Sequence, residues 1–176
     1  MVANARTACK TKARAGNLAK KKAPTKAPTP PPLQAHLGFW LRFVSNPVSM
    51  RFQQLLEAKD VSVSEWVAMR TLWSRNETTH ADLIAAMGMT KGATSKVVSR
   101  LEQKGLAKRQ RAGGQIREQV LVLTAAGRSL LPLLAALADA NDEHFFGHLR
   151  ANERRALMRT LQALVQHHQM KDLPTA

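Results

Sequence analysis

The sequence predicts a mainly α-helical fold that carries one small β-hairpin. Three observations predict it. Apolar residues recur at three- and four-residue steps over most of the chain between Leu33 and His168. A short helical pattern and a longer one are separated only by Gly88, Met89 and Thr90. Two β-favouring runs, Leu106 to Arg111 and Gln119 to Leu123, flank Gly113-Gly114, a pair that supplies the positive φ a tight reversal needs.

Residues 1–32 hold five of the eight prolines, many lysines and almost no large apolar side chain. Such a segment cannot offset its ordering entropy, so the expectation is a disordered basic tail with a stiff extended end. It serves either as a solvated leader or as a non-specific DNA tether. Leu33 to Lys59 follows as a helix on Leu37, Trp40, Leu41, Val44, Val48, Phe52, Leu55 and Leu56. Asn46-Pro47 should kink it, or restart it with Asn46 as N-cap, because proline lacks a donor and crowds the preceding turn. Val61 to Trp73 is the second helix, capped by Ser62 or Ser64, with Trp66, Val67, Met69, Leu72 and Trp73 as its apolar face. Thr78 or Thr79 caps a short helix that Gly88 ends.

The next helix runs from Thr90 to Lys104, with Gly105 just past its end. Projected at 100° per residue, Ala93, Val97, Val98 and Leu101 form its buried stripe. Lys91, Gly92, Ser95, Lys96, Ser99 and Gln103 lie opposite, with Thr94 and Arg100 on the flanks. Small hydroxyls among cations let a helix sit deep in a major groove, hydroxyls on base edges and cations on phosphates or guanine. Two short helices joined through a glycine, followed by a basic hairpin, make a winged helix-turn-helix. Arg109, Arg111 and Arg117 sit on or near the reversal, where an arginine can enter a minor groove. Thr124 caps a long helix to about Leu149. A last helix runs from about Glu153 to His168, with Asn152 as N-cap and Leu157, Leu161, Leu164 and Val165 as its apolar stripe.

Charge concentrates where this interface is expected. The chain has 27 Lys+Arg against 12 Asp+Glu, a formal net charge of +15. Residues 1–32 hold eight basic residues and no acid, and residues 91–117 hold another eight against Glu102 alone, so the remainder is balanced. A field confined to one tail, one helix and one hairpin is the footprint of a surface that displaces counterions from phosphate. No apolar run is long enough for a membrane span. The single cysteine, Cys9, cannot form an intramolecular disulfide, and the expected compartment is a reducing cytosol. Nucleophile-elbow, phosphate-loop and zinc-protease motifs are missing, no cofactor is implied, and no histidine lies close in sequence to the hydroxyls of the Thr90–Lys104 helix. The chain is therefore expected not to be an enzyme.

From His36 to His168 the chain resembles the MarR family of winged-helix transcriptional regulators. The match rests on Glu65-Trp66-Val67, on DLIAAMGMTKGATSKVVSRLEQKGL and on VLVLTAAGR. The resemblance implies an obligate homodimer built from the first and last helices, a recognition helix at Thr90–Lys104, and inverted-repeat operators. It also implies release of double-stranded DNA by a small, often aromatic and acidic, effector. Family wings usually carry Asp-x-Arg at the tip; here Arg117 fills the arginine position and Gln115 replaces the acid. The expected organisation is a tail at 1–32, a domain at 33–170 and a C-terminal tail at 171–176. Within the domain the DNA-binding lobe spans about 61–124, and the dimerisation helices span about 33–59 and 125–168.

The DNA-contacting set is then Lys91, Thr94, Ser95, Lys96, Ser99, Arg100, Arg109, Arg111 and Arg117. Trp40, Arg42, Trp66, Arg70 and Trp73 could wall a pocket for an aromatic acid, or be core and dimer interface. His144 and His148, beside Asp142 and Glu143, have helical spacing compatible with a metal, but no further ligand is fixed; two exposed histidines are the alternative. The competing function is an architectural protein that coats DNA with little sequence preference.

Overall fold

The computed structural model describes residues 29–111 and 119–170. The basic tail up to residue 28, the hairpin tip with Gly113, Gly114, Gln115 and Arg117, and residues 171–176 lie outside the described residues, as does Cys9. After a 3₁₀ turn at Leu33–Ala35 the elements are α1 (Leu37–Glu57), α2 (Val63–Arg75), β1 (Thr78–Thr79), α3 (His80–Met87), α4 (Lys91–Gln103), β2 (Ala107–Arg111), β3 (Gln119–Leu123), α5 (Ala125–Phe146) and α6 (Ala151–His167). The fold is thus mainly helical with a small antiparallel sheet in the order β1-β3-β2. No helix among the described residues is long and apolar enough to cross a membrane.

Local chemistry sets the helix starts. Ser62 is the N-cap of α2: its hydroxyl accepts from Glu65 N–H, while the Glu65 carboxylate accepts from Ser62 N–H at 2.7 Å. This reciprocal pair satisfies two of the donors a helix start leaves free. Thr79, Thr90 and Thr124 cap α3, α4 and α5 through their hydroxyls in the same way.

Three expectations need correction, and one short strand joins the elements expected. α1 is one continuous helix through Pro47, with no restart at Asn46. Proline forfeits one backbone bond there, and packing against α5 holds the helix across it: Asn141 donates to Val48 O at 3.2 Å and accepts from Arg51 at 3.1 Å. Thr78 and Thr79 form a third strand, paired with Leu121 and Val120, which a two-residue segment does not announce in sequence. α5 ends at Phe146 rather than near Leu149, with Gly147 at its C-cap. α6 starts at Ala151, so Asn152 lies inside the helix; Arg150 occupies the cap position and its N–H donates to the Glu153 carboxylate at 2.8 Å.

The core lies between α2, α3, α4, the sheet and the first half of α5. Leu56, Met69, Leu72, Leu83, Met87, Leu101, Leu121, Leu131 and Leu134 are buried in it. α6 buries no residue in the protomer, and Leu157, Leu161, Leu164 and Val165 of its apolar stripe are all exposed. The exposed aliphatic and aromatic face of α1 includes Leu37, Trp40, Leu41, Phe43 and Val44.

Candidate nucleic-acid interface

The turn between α3 and α4 fixes one helix across the other. Gly88 closes α3 in the left-handed region, φ 65°, and its N–H donates to Ile84 O at 3.0 Å. A side chain there would carry the steric cost of that conformation. Met89 then packs against the core, and Thr90 begins α4, its hydroxyl accepting from Ala93 N–H.

α4 has one buried side and one open side. Thr94, Val97, Val98 and Leu101 are buried, and Ala93 is only half-buried. Thr94 therefore does not flank a groove-facing surface. It lies three, four and seven residues before Val97, Val98 and Leu101, on the same stripe, and is fully buried with a hydroxyl that has no hydrogen-bond partner. Lys91, Lys96, Ser99, Arg100 and Gln103 are exposed. Ser95 is half-buried on that side, and His80, the first residue of α3, places its Nε2 3.3 Å from the Ser95 hydroxyl. Fifteen residues separate the two, so the fold supplies a histidine that the neighbourhood of Ser95 in sequence does not.

β2 and β3 extend from the end of α4 as an antiparallel pair, with Ala107 opposite Leu123 and Arg111 opposite Gln119. Lys108, Arg109 and Arg111 are exposed. Arg109 lies in mid-strand and is held by Glu102 of α4, with Nη1 2.8 Å from Oε2. The sequence reading missed Glu102 as a partner because it counted that residue only as the one acid in a basic stretch.

The five aromatic and cationic residues expected at a ligand pocket do not converge. Trp66 and Arg70 do meet, with the guanidinium carbon 5.5 Å from the ring centroid. They line an open hollow of about 340 Å³ with Val67, Thr71 and Ser74. Phe52 meets Trp66 edge-on, with ring centroids 6.1 Å apart. Trp73 pairs instead with Arg128 of α5, and Trp40 belongs to a cluster with Phe39 and Phe43 while its indole N–H donates to Gln34 O at 2.9 Å. Arg42 is exposed on α1. His144 and His148 gain no companions: among the described residues no three His, Cys, Asp or Glu side chains gather as a metal set. Arg154 reaches the carboxylates of Asp142 and Glu143, each at 3.6 Å.

A short capped helix, a glycine turn, a second helix with an open cationic side and a β-ribbon beside it define a winged helix-turn-helix protein. Residues 61–113 match the family model described as MarR family. That stretch is a MarR-family domain match, and the curated relatives that the chain resembles are transcriptional regulators. It is 27% identical over 109 residues to the transcriptional regulator HosA of Escherichia coli O127:H6, a match covering 62% of this chain and 81% of HosA. It is 26% identical over 151 residues to the HTH-type transcriptional repressor NicR of Pseudomonas putida, covering 84% of this chain and 96% of NicR. Its fold superposes on that of BpsR from Bordetella bronchiseptica with a TM-score of 0.66 at 22% identity, over 78% of this chain and 99% of that one. DNA binding by BpsR is regulated by 6-hydroxynicotinic acid.

Proposed function

We propose that this regulator is a homodimeric repressor that reads a pseudo-palindromic operator with α4 and releases it on binding a small aromatic acid. The observation that carries the reading is the two-sided character of α4: Val97, Val98 and Leu101 seat it in the core, while Lys91, Lys96, Ser99 and Arg100 are exposed to solvent. Together with Ser95 these residues are the base- and phosphate-contacting set, and Arg109 and Arg111 of β2 add phosphate contacts beside them. Arg117 is assigned to the same ribbon by sequence alone.

Dimerisation is supported by the apolar faces of α1 and α6, which a lone protomer leaves in water. They would bury each other about a two-fold axis, leaving residues 61–124 of each protomer as a DNA-binding lobe. Two-fold symmetry presents two copies of α4, which suit half-sites about one helical turn, ~34–36 Å, apart. The ligand reading draws on BpsR and on Trp66 and Arg70, a flat apolar wall beside a cation, which together fit an aromatic carboxylate. The basic tail, residues 1–32, would add sequence-independent phosphate contacts.

A salt-dependent titration of the purified protein against the DNA upstream of its own coding region and against a scrambled duplex tests the reading. Preference of at least about a thousandfold for the upstream duplex at physiological salt is expected of a specific regulator. Equal affinity for the two would replace it with the architectural reading, in which the tail and ribbon coat DNA without selecting a site.

A further inference from the structure

Most of the open side of α4 consists of side chains that end in water. Ser95 is the exception. Its hydroxyl lies between Lys91 and Ser99, one turn away on either side, and faces the imidazole of a different helix at 3.3 Å. A serine hydroxyl carries one proton and two lone pairs, and free rotation lets it serve as donor or acceptor toward whatever it meets. A base edge that meets such a rotor gains a contact and little discrimination. A partner that uses one of those capacities fixes the remainder.

His80 is placed to be that partner. It occupies the first position of α3, immediately after the Thr79 cap, and Thr79 is also paired in the sheet, opposite Val120. The ring therefore projects from a backbone held by both a helix cap and a strand. When Nε2 accepts, the Ser95 proton points at the imidazole and only lone pairs face outward, which suits the exocyclic amino groups of adenine and cytosine. When Nε2 carries the proton, Ser95 is the acceptor within the protein and its own O–H is free for guanine O6 or N7 or thymine O4. The first arrangement leaves acceptors alone facing outward; in the second the imidazole takes one lone pair and so sets where the O–H and the remaining lone pair point.

We infer that His80 is a specificity-determining positioning residue: it orients the Ser95 hydroxyl, and through it fixes the base that α4 reads at one position of each half-site. This rests on the reading that α4 enters a major groove. His80 acts through Ser95 and need not touch DNA itself, so its contribution must vanish when the hydroxyl is removed.

The test uses the full-length chain and a randomised DNA duplex library. In vitro selection yields a preferred duplex, and affinities are then measured for that duplex and for each single base-pair change within a half-site. His80→Ala, Ser95→Ala, the double variant and His80→Gln are compared with the wild-type chain, and thermal unfolding is followed for each. His80→Ala is expected to lower the discrimination at one base pair by about fivefold, the worth of one directed hydrogen bond, and to leave the other positions unchanged. Ser95→Ala should lower the same position, and the double variant should be no worse than Ser95→Ala alone. His80→Gln, whose amide can still donate or accept, should recover part of the preference and serves in place of the alanine variant should that one unfold. An unchanged base preference in the His80 variants, or a loss that adds to that of Ser95→Ala, overturns the inference while leaving the regulator reading intact. A wild-type chain that selects no sequence removes the regulator reading, and this inference with it.

Discussion

Lys104 Nζ lies 3.0 Å from Oε2 of Glu65, and this ion pair ties the last turn of α4 to the first turn of α2. Glu65 is 1% exposed, and the same carboxylate oxygen also accepts from Ser62 N–H, while Oε1 has no partner. Lys104 additionally donates to the backbone carbonyl of Asp60 and lies 3.5 Å from its carboxylate. The orientation of α4 is thus coupled to the cap of the helix behind it.

Replacing Lys104 with methionine keeps the stem and removes the charge, leaving Glu65 buried with one N–H for company. A buried carboxylate stripped of its cation typically costs several kcal/mol, and partial solvent access to Lys104 places the expected loss at about 2–3 kcal/mol in urea unfolding. Adding Glu65→Gln should recover part of it, since both charges are then gone. A double variant less stable than Lys104→Met would contradict the pairing.

Thr94 and Lys96 separate a buried position from an exposed one on the same helix. Thr94→Val removes a hydroxyl that has no hydrogen-bond partner and keeps the shape, so stability should hold or rise by up to about 1 kcal/mol, with unchanged DNA affinity. Lys96→Ala should leave stability alone, weaken binding to all duplexes alike, and lower the salt slope by about one. Loss of binding in Thr94→Val would return that residue to the interface.

Periodicity and caps are enough to place α2, α3, α4 and the start of α5, because each begins at a side-chain cap, and β-favouring runs place β2 and β3. Thr94 was misplaced because its hydroxyl outweighed its spacing, although the same spacing lines it up with Val97, Val98 and Leu101. The restart at Asn46 does not occur: a proline's local cost is visible in sequence, whereas the Arg51–Asn141–Val48 link to α5, ninety residues away, is not. His80 and Ser95, Arg109 and Glu102, and the separation of Trp73 from Trp66 all depend on how elements cross. Such crossings leave no periodic trace.

Gly127 sets how closely α5 approaches the ribbon. A Cβ there would fall 2.1 Å from the carbonyl oxygen of Leu106, an oxygen that already accepts from Thr124 N–H at 3.1 Å. Backbone cannot yield as a side-chain tip can, so Gly127→Ala should destabilise the fold by about 1–3 kcal/mol despite the better helix propensity of alanine. Ser129→Ala, on an exposed position of the same helix, is the control and should change stability by less than about 0.5 kcal/mol.

Asn141 is 3% exposed and joins α5 to α1 through both of its amide atoms. Asn141→Ala should cost about 1–3 kcal/mol, mainly because the half-buried Arg51 guanidinium loses its acceptor. If α1 and α6 form the subunit interface, loosening α1 should also weaken the dimer. Sedimentation at falling protein concentration should show dissociation at a higher concentration than in the wild-type chain. An unaltered dimer with reduced monomer stability would detach the α1–α5 link from assembly.

Glu102 and Arg109 set two properties of the interface against each other. The pair is partly exposed, with side-chain accessibilities of 26% and 41%, so Glu102→Gln should change folding stability by less than about 1 kcal/mol. Its effect on DNA should be larger. The substitution removes the one negative charge of α4 and frees the Arg109 guanidinium, so affinity for any duplex should rise and the salt slope should steepen by about one. Sequence discrimination should fall, because β2 is no longer braced against α4 and the added affinity is the kind that reads no bases. Parallel titrations with the preferred duplex and a scrambled one distinguish the outcomes. A gain confined to the preferred duplex would mean that Arg109, once free, reads a base rather than a phosphate.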